Sequence, residues 1–261
     1  MDNTNKRFKK KHRSKKFKKI MTILSFIILF LLWSIYILLN SDLLNLKTVE
    51  IYGNEILEEE EIIETGKIIF NRNILQFKLT ELENNIISHP YIKEVNIKRK
   101  LPQTLTITVR EREKYAIIPY MGSYIYIDQD KVVLESSDSY LAEDLVLITG
   151  VEFESFKLGH KVDIKNTALL DRAIELVAAS KVINNAEMIS EINIGQEDYI
   201  KLITFDGIEV LLSKSIDPVY AMLAFKETLT NIYTRNIDNI IVDMRYDGQI
   251  SIRNREIWEE E

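Results

Sequence analysis

Twenty consecutive residues without a charge, "IMTILSFIILFLLWSIYILL" from Ile20 to Leu39, constrain this chain more than any other feature. As a helix rising about 1.5 Å per residue, the run is about 30 Å long, the hydrocarbon thickness of a bilayer. Fourteen of the twenty are Leu, Ile or Phe. At about −0.3 to −0.6 kcal/mol each on membrane insertion they contribute roughly −4 to −8 kcal/mol, more than the few Ser, Thr and Tyr oppose. Trp33 and Tyr36 lie near the far end, where an aromatic belt meets the interface. A cleaved signal peptide fits poorly, because the run is long and the following "LLNSDLLNL" is too bulky for a cleavage site. The expectation is an uncleaved single-pass anchor over residues 20–39.

The charge before that run sets an expected orientation. Ten of the fourteen residues from Lys6 to Lys19 are Lys or Arg, among them Lys9, Lys10, Lys11, Arg13, Lys15, Lys16, Lys18 and Lys19. Residues 1–19 carry +9, which leaves −15 for residues 20–261 of a chain whose total is −6. Basic flanks stay cytoplasmic, so residues 1–19 read as a cytoplasmic tail and the remainder after the span as exported. Placed directly before a span, the tail suits topology and contact with anionic membrane lipid better than nucleic acid.

Cysteine is absent, so residues 43–261 cannot be a disulfide scaffold and rely on ordinary hydrophobic cores. Residues 46–52 alternate as a strand and end at Gly53-Asn54. Residues 58–65 and 80–88 read as short helices, with Ile62 and Ile63, then Leu79, Leu82, Ile86 and Ile87, on their apolar sides. Residues 95–98 and 104–110 are strands about the turn Leu101-Pro102-Gln103, with Leu105, Ile107 and Val109 on one face. The order β-α-α-β-β predicts a small α+β unit over residues 44–113.

A second unit, residues 114–254, alternates short strands with longer helices. Hairpins are predicted about Gln129-Asp130 and Asp206-Gly207. Helices are predicted over residues 167–183 and from Asp217-Pro218 to about Thr234. The first carries Leu170, Ala173, Ile174, Val177 and Lys181 on one stripe, the second Val219, Met222, Phe225, Leu229 and Tyr233. The stretch "IIVDMRYDGQISIRN" from Ile240 to Asn254 reads as a last hairpin turning at Asp247-Gly248, and residues 255–261 as a short acidic tail. The fold class is α+β: one N-terminal transmembrane helix, the β-α-α-β-β unit, and a mixed β-sheet with packed helices.

Nothing in the chain assembles chemistry. The histidines His12, His89 and His160 lack metal-ligand spacing, and thiol catalysis is excluded without cysteine. There is no nucleophile elbow and no phosphate-cradling glycine loop. The run of four acids from Glu58 to Glu61 suits a helix N-terminus and cannot converge on one ion. Asp128/Asp130 and Glu111/Glu113 could serve glycoside chemistry, but hairpin turns and solvated strands explain them better. No catalytic residue, metal, cofactor or small-molecule substrate is assigned.

"HPYIKEVNIKRKLPQTLTITVREREKYA" from His89 to Ala116 resembles the POTRA (polypeptide transport-associated) module of the FtsQ/DivIB family of bacterial cell-division proteins. Pro90, Val95, Arg99, Pro102, Leu105, Ile107, Val109, Glu111, Arg112 and Ala116 carry the likeness. "VEIYGNEIL" is similar to that family's opening strand and turn, and "YIYIDQDKVVLE" and "IDNIIVDMRYDGQISI" to its β-domain. The extension after the last strand is short, which puts tail-borne functions of some relatives in doubt.

The resemblance implies an exported, non-enzymatic scaffold at the division septum. It implies binding of two bitopic partners, FtsL-type and FtsB/DivIC-type, and a part in regulating septal peptidoglycan synthesis. It also implies a partner strand docking beside the last strands, at Tyr246, Gln249, Ile250, Ser251, Ile252 and Arg253. An open edge with alternating side chains suits strand addition. For a proline test, Ser251 is preferred to Ile252 because its side chain looks outward. The competing reading is a plain hairpin whose edge Arg253 and the acidic tail protect. The alternatives for the whole chain are another POTRA-bearing envelope adaptor in export or assembly, and a cell-wall enzyme.

Overall fold

The structure, a computed structural model, describes residues 3–139, 145–235, 240–246 and 248–255, with side chains from residue 17 onward. The chain divides into two compact units, residues 1–87 with 94–110, and residues 88–93 with 111–261.

The first unit opens on one continuous helix, α1 (Asn3–Leu39). The basic stretch expected as a tail is therefore helical together with the apolar run, in keeping with the good helix propensity of Lys and Arg. Its part long and apolar enough to cross a membrane is Phe17–Leu39, 23 residues, all of them exposed. Then come β1 (Thr48–Tyr52), α2 (Glu59–Thr65), α3 (Leu79–Ile87), β2 (Ile92–Lys100) and β3 (Thr104–Glu111). The sheet order is β1-β3-β2, with β1 parallel to β3 and Ile51 opposite Ile107.

Leu105, Ile107 and Val109 are buried with Ile62, Ile74, Leu82 and Ile86, so the period-2 face of β3 meets the apolar sides of both helices. Ile87, expected with them, is exposed at the last position of α3. Gly53 is obligatory: its φ is +84°, and a Cβ there would lie 2.2 Å from the Val109 carbonyl oxygen.

The second unit holds β4 (Ala116–Tyr120), β5 (Ser123–Ile127), β6 (Val133–Ser137), β7 (Val146–Thr149), β8 (Phe153–Ser155) and β9 (Asp163–Ile164). After these come α4 (Thr167–Ile183), β10 (Ile189–Asn193), β11 (Tyr199–Thr204), β12 (Glu209–Ser213), α5 (Pro218–Thr234), β13 (Ile240–Met244) and β14 (Ser251–Asn254). Nine strands form one mixed sheet in the order β14-β13-β12-β11-β10-β7-β4-β5-β6. Its parallel pairs are β4 with β7, β7 with β10, and β12 with β13. The last of these needs a crossover, which α5 supplies.

Both helices contribute to the core that covers the sheet, through Leu170, Ala173 and Val177 of α4 and Met222, Phe225 and Leu229 of α5. Asp217 caps α5 by accepting from the Tyr220 N–H at 2.8 Å, one residue before the first-turn proline. Two residues expected inward on α5 point out. Val219 sits in the first turn, beyond the packed stripe, and is exposed. Tyr233 sits in the last turn and reaches Asp206; burial first, then the carboxylate, push its hydroxyl pKa up to about 12. Lys181 of α4 is exposed and sets its ammonium 3.9 Å from the Tyr115 ring centre.

Candidate partner-binding edge

β14 closes the strand order, and among the described residues no strand lies beyond it. It pairs antiparallel with β13 in the register Ile240↔Asn254, Ile241↔Arg253, Val242↔Ile252 and Asp243↔Ser251. All four of its residues are exposed, whereas Ile240, Val242, Asp243 and Met244 on β13 are buried. The returning strand starts later than the alternation suggested. The Gln249 N–H donates to the Tyr246 carbonyl at 3.1 Å, and this turn leaves Gln249 and Ile250 ahead of the ladder, both exposed. Gly248 has φ +70°, while Asp247, the other expected turn residue, lies outside the described residues.

The register settles which face each side chain takes. Ile252 lies opposite Val242, a core residue, and so faces the helix side of the sheet. There Ile250 and Ile252 line a groove of about 620 Å³ with Tyr220, Leu223, Glu227 and Asn231 of α5. Tyr220 (50%), Leu223 (52%), Ile250 (46%) and Ile252 (49%) are half exposed, forming an apolar band beside the edge. Sequence reading missed Tyr220 and Leu223. Their signal was a second stripe on α5, Tyr220, Leu223 and Glu227, three and seven residues apart and turned away from the core stripe.

On the other face, Ser251 lies opposite Asp243, whose carboxylate anchors a local array. Arg245 donates to it from Nε at 2.9 Å, from Nη2 at 2.6 Å and from its backbone N–H at 3.1 Å. Those bonds to Arg245, with the further charge of Arg253, hold the Asp243 carboxyl below the usual carboxylate range. The guanidinium then stands 5.4 Å from the Tyr199 ring centre and 5.7 Å from that of Tyr246. Tyr246, 65% exposed, is thereby presented next to the edge on a fixed neighbour. At the end of β14, Arg255 bonds the Gly207 carbonyl at 3.0 Å and the Glu209 carboxylate at 2.9 Å. Residues 256–261 of the acidic tail lie outside the described residues.

Of the basic signal, Lys18 and Lys19 are exposed on α1. The side chains of Lys9, Lys10, Lys11, Arg13, Lys15 and Lys16 lie outside those described. The acids weighed for chemistry are occupied structurally. Asp128 accepts from Arg112 at 2.6 Å and from the Val132 N–H at 2.7 Å, and Asp130 pairs with Lys93 at 2.6 Å. Glu59, Glu60 and Glu61 fill the first turn of α2. Among the described residues no three His, Cys, Asp or Glu side chains converge as metal ligands.

Comparison with known proteins assigns part of the first unit and gives relatives for the chain. Residues 44–112 match the POTRA domain of FtsQ type. The cell division protein DivIB of Clostridium acetobutylicum is 34% identical over 118 residues, covering 45% of this chain and 47% of that protein. DivIB of Clostridium tetani is 27% identical over 191 residues, covering 71% and 72%. The chain is similar to cell-division proteins of the FtsQ/DivIB family. The match spans about half the length of the first of these relatives. Among solved structures, the major extracytoplasmic domain of DivIB from Geobacillus stearothermophilus is similar, at 16% identity and a TM-score of 0.28, over 49% of this chain and 98% of that one. As an FtsQ/DivIB relative, the chain joins a POTRA domain, a mixed sheet ending in β14, and a single N-terminal apolar helix.

Proposed function

We propose that this chain is a non-enzymatic scaffold of the division machinery. Its N-terminus lies in the cytoplasm, α1 spans the membrane, and both folded units lie outside, enriched at the septum. It binds FtsL-type and FtsB/DivIC-type bitopic partners and through them helps organise or regulate septal peptidoglycan synthesis. The folded parts in this reading are residues 44–113 and 114–254. The observation that supports it most is β14: a strand at the end of a nine-stranded sheet, exposed at every position. A partner segment added there gains backbone hydrogen bonds along Ser251, Ile252 and Arg253. Its alternate side chains fall on the groove beside α5 and on Tyr246.

Depletion tests the role. Filaments without septa, together with a fluorescent fusion concentrated at mid-cell, are the expected outcome. Normal septation in a strain with no second copy would end the reading, and a fusion spread evenly over the envelope would favour a general envelope adaptor instead.

A further inference from the structure

We propose that the POTRA-type unit is seated in the lipid headgroups of the leaflet that α1 enters at Leu39, through the loop of residues 69–76. This rests on α1 being a membrane span. The loop is tied to the end of that helix. Asn73 Nδ2 donates to the Leu39 carbonyl at 2.6 Å, the Leu46 N–H donates to the Arg72 carbonyl and the Asn71 N–H to the Leu46 carbonyl, each at 2.9 Å. A further bridge joins Asn45 to Asn73.

At this place the unit exposes what it buries elsewhere. Ile69 is 58% exposed, Phe70 41%, Leu75 43% and Leu43 51%, although Ile68, Ile74 and Phe77 beside them are buried. Behind the apolar rim, Lys67, Arg72 and Lys78 line a hollow of about 210 Å³ in which Glu81 is the one carboxylate. Apolar side chains beside cations match the acyl–headgroup boundary of an anionic leaflet, where long basic side chains reach phosphate. Continuity with α1 selects lipid over a protein occupant. Only residues 40–46 separate the end of the apolar helix from the point where the loop is bonded, and they hold the rim at the membrane surface.

The chain has no cysteine, so single-cysteine variants take one nitroxide each. The full chain, one copy per lipid nanodisc, is labelled as Ile69→Cys or Leu75→Cys. Ile35→Cys inside the apolar helix and Met121→Cys, 88% exposed, are the references. Collision of each label with oxygen and with a water-soluble nickel chelate is read by power saturation. The expected result is loss of nickel accessibility at 69 and 75 relative to 121. That loss should be greater when phosphatidylglycerol is added to phosphatidylcholine, and the gain should vanish in the Lys67→Gln/Arg72→Gln/Lys78→Gln variant. Labels at 69 and 75 as open to nickel as 121, with 35 shielded, would overturn the seat and leave the span intact. A label at 35 open to nickel would overturn both. Dipolar broadening between labels would assign the shielding to a second copy and also overturn the proposal.

Discussion

The two ends of the nine-stranded sheet are treated in opposite ways by the chain. At the β6 end, the loop of residues 157–162 bonds back onto the strand. The Val133 N–H donates to the His160 carbonyl at 2.9 Å, the Gly159 N–H to the Val133 carbonyl at 2.8 Å, and Val132 bridges Lys161. Further along β6, the Glu135 carboxylate accepts from the Tyr91 hydroxyl at 2.7 Å and pairs with Lys114 at 3.2 Å. Val133 and Leu134 are buried. At the β14 end the backbone row carries no such cover among the described residues, and the side chains stay in solvent. A bare edge invites association with another strand, and proteins usually blunt it. Here one edge is blunted by the chain's own loop and the other is left open. That asymmetry supports β14 as the proposed partner edge.

Proline breaks the comparison most sharply. In an antiparallel pair, successive residues turn their N–H groups alternately toward and away from the neighbour. Of Ser251 and Ile252, one therefore donates to β13 and the other faces outward. Side-chain direction does not distinguish them, because it reports the face of the sheet and not its edge. Proline at the outward position should lower affinity for the FtsB/DivIC-type partner about 100-fold, about 3 kcal/mol, with melting temperature held. Proline at the inward position should loosen the hairpin. Val133→Pro at the blunted edge should do the reverse, costing about 3 kcal/mol of stability while surviving folded protein binds normally. Binding by calorimetry and thermal melts on the same samples read both. Unchanged affinity in both folded β14 variants would remove strand addition as the mode of binding.

The elements were largely legible in the sequence, but this asymmetry was not. Capping and periodicity placed α4 at Thr167–Ile183 and the start of α5 at Asp217-Pro218, and the 206–207 turn placed its hairpin, because those signals are local. Val146–Thr149, Phe153–Ser155 and Ile189–Asn193 escaped, being short strands without turn pairs to flank them. The order that sets β4 beside β7 and β7 beside β10 depends on parallel pairing between distant segments, which alternation cannot register. For the same reason the pattern gave the face of Ile252 but no account of what lay beside β14. Arg245 looked like one more charge in a strand until its carboxylate partner two residues back appeared.

Tyr246 should be the next largest effect. It is an exposed aromatic beside the open edge, with the Arg245 guanidinium 5.7 Å from its ring centre. Tyr246→Ala should weaken partner binding by about 2 kcal/mol, about 30-fold, without changing the melt, as truncation of an aromatic anchor does. Tyr124, on the strand next to β6, gives the control: Tyr124→Ala should leave affinity unchanged. Equal losses at both positions would show that the edges do not differ in use.

Asp243 acts one step behind Tyr246. Asp243→Asn should cost about 1 kcal/mol of stability and a few-fold in partner affinity, because Arg245 loses its bidentate acceptor. The effect carries a pH signature. The folded carboxyl titrates below the unfolded value of about 4, so its stabilisation is complete above that value and is lost as pH falls through the folded one. The difference in melting temperature between the unsubstituted chain and Asp243→Asn should be constant from about pH 5 to pH 7 and close below about pH 4. A gap that persists in strong acid would mean that the asparagine perturbs packing and that the carboxylate array does not hold this edge.

Arg255 gives the smallest effect and the finest test of what keeps β14 in place. Its guanidinium ties the end of the strand to Gly207 and Glu209, yet the side chain is 38% exposed, so the ion pair is screened. Arg255→Ala should cost at most about 1 kcal/mol of global stability. Its consequence should be local instead. The last strand of a sheet, with one neighbour and no buried residue of its own, opens before the core does, and amide exchange at Ser251, Ile252 and Arg253 should quicken while β12 and β13 keep their protection. Partner binding should then restore slow exchange at those amides, since a strand added outside β14 supplies the second neighbour that β6 obtains from its own loop. Exchange in β14 that stays fast in the complex would place the partner on the groove beside α5 and not on the edge.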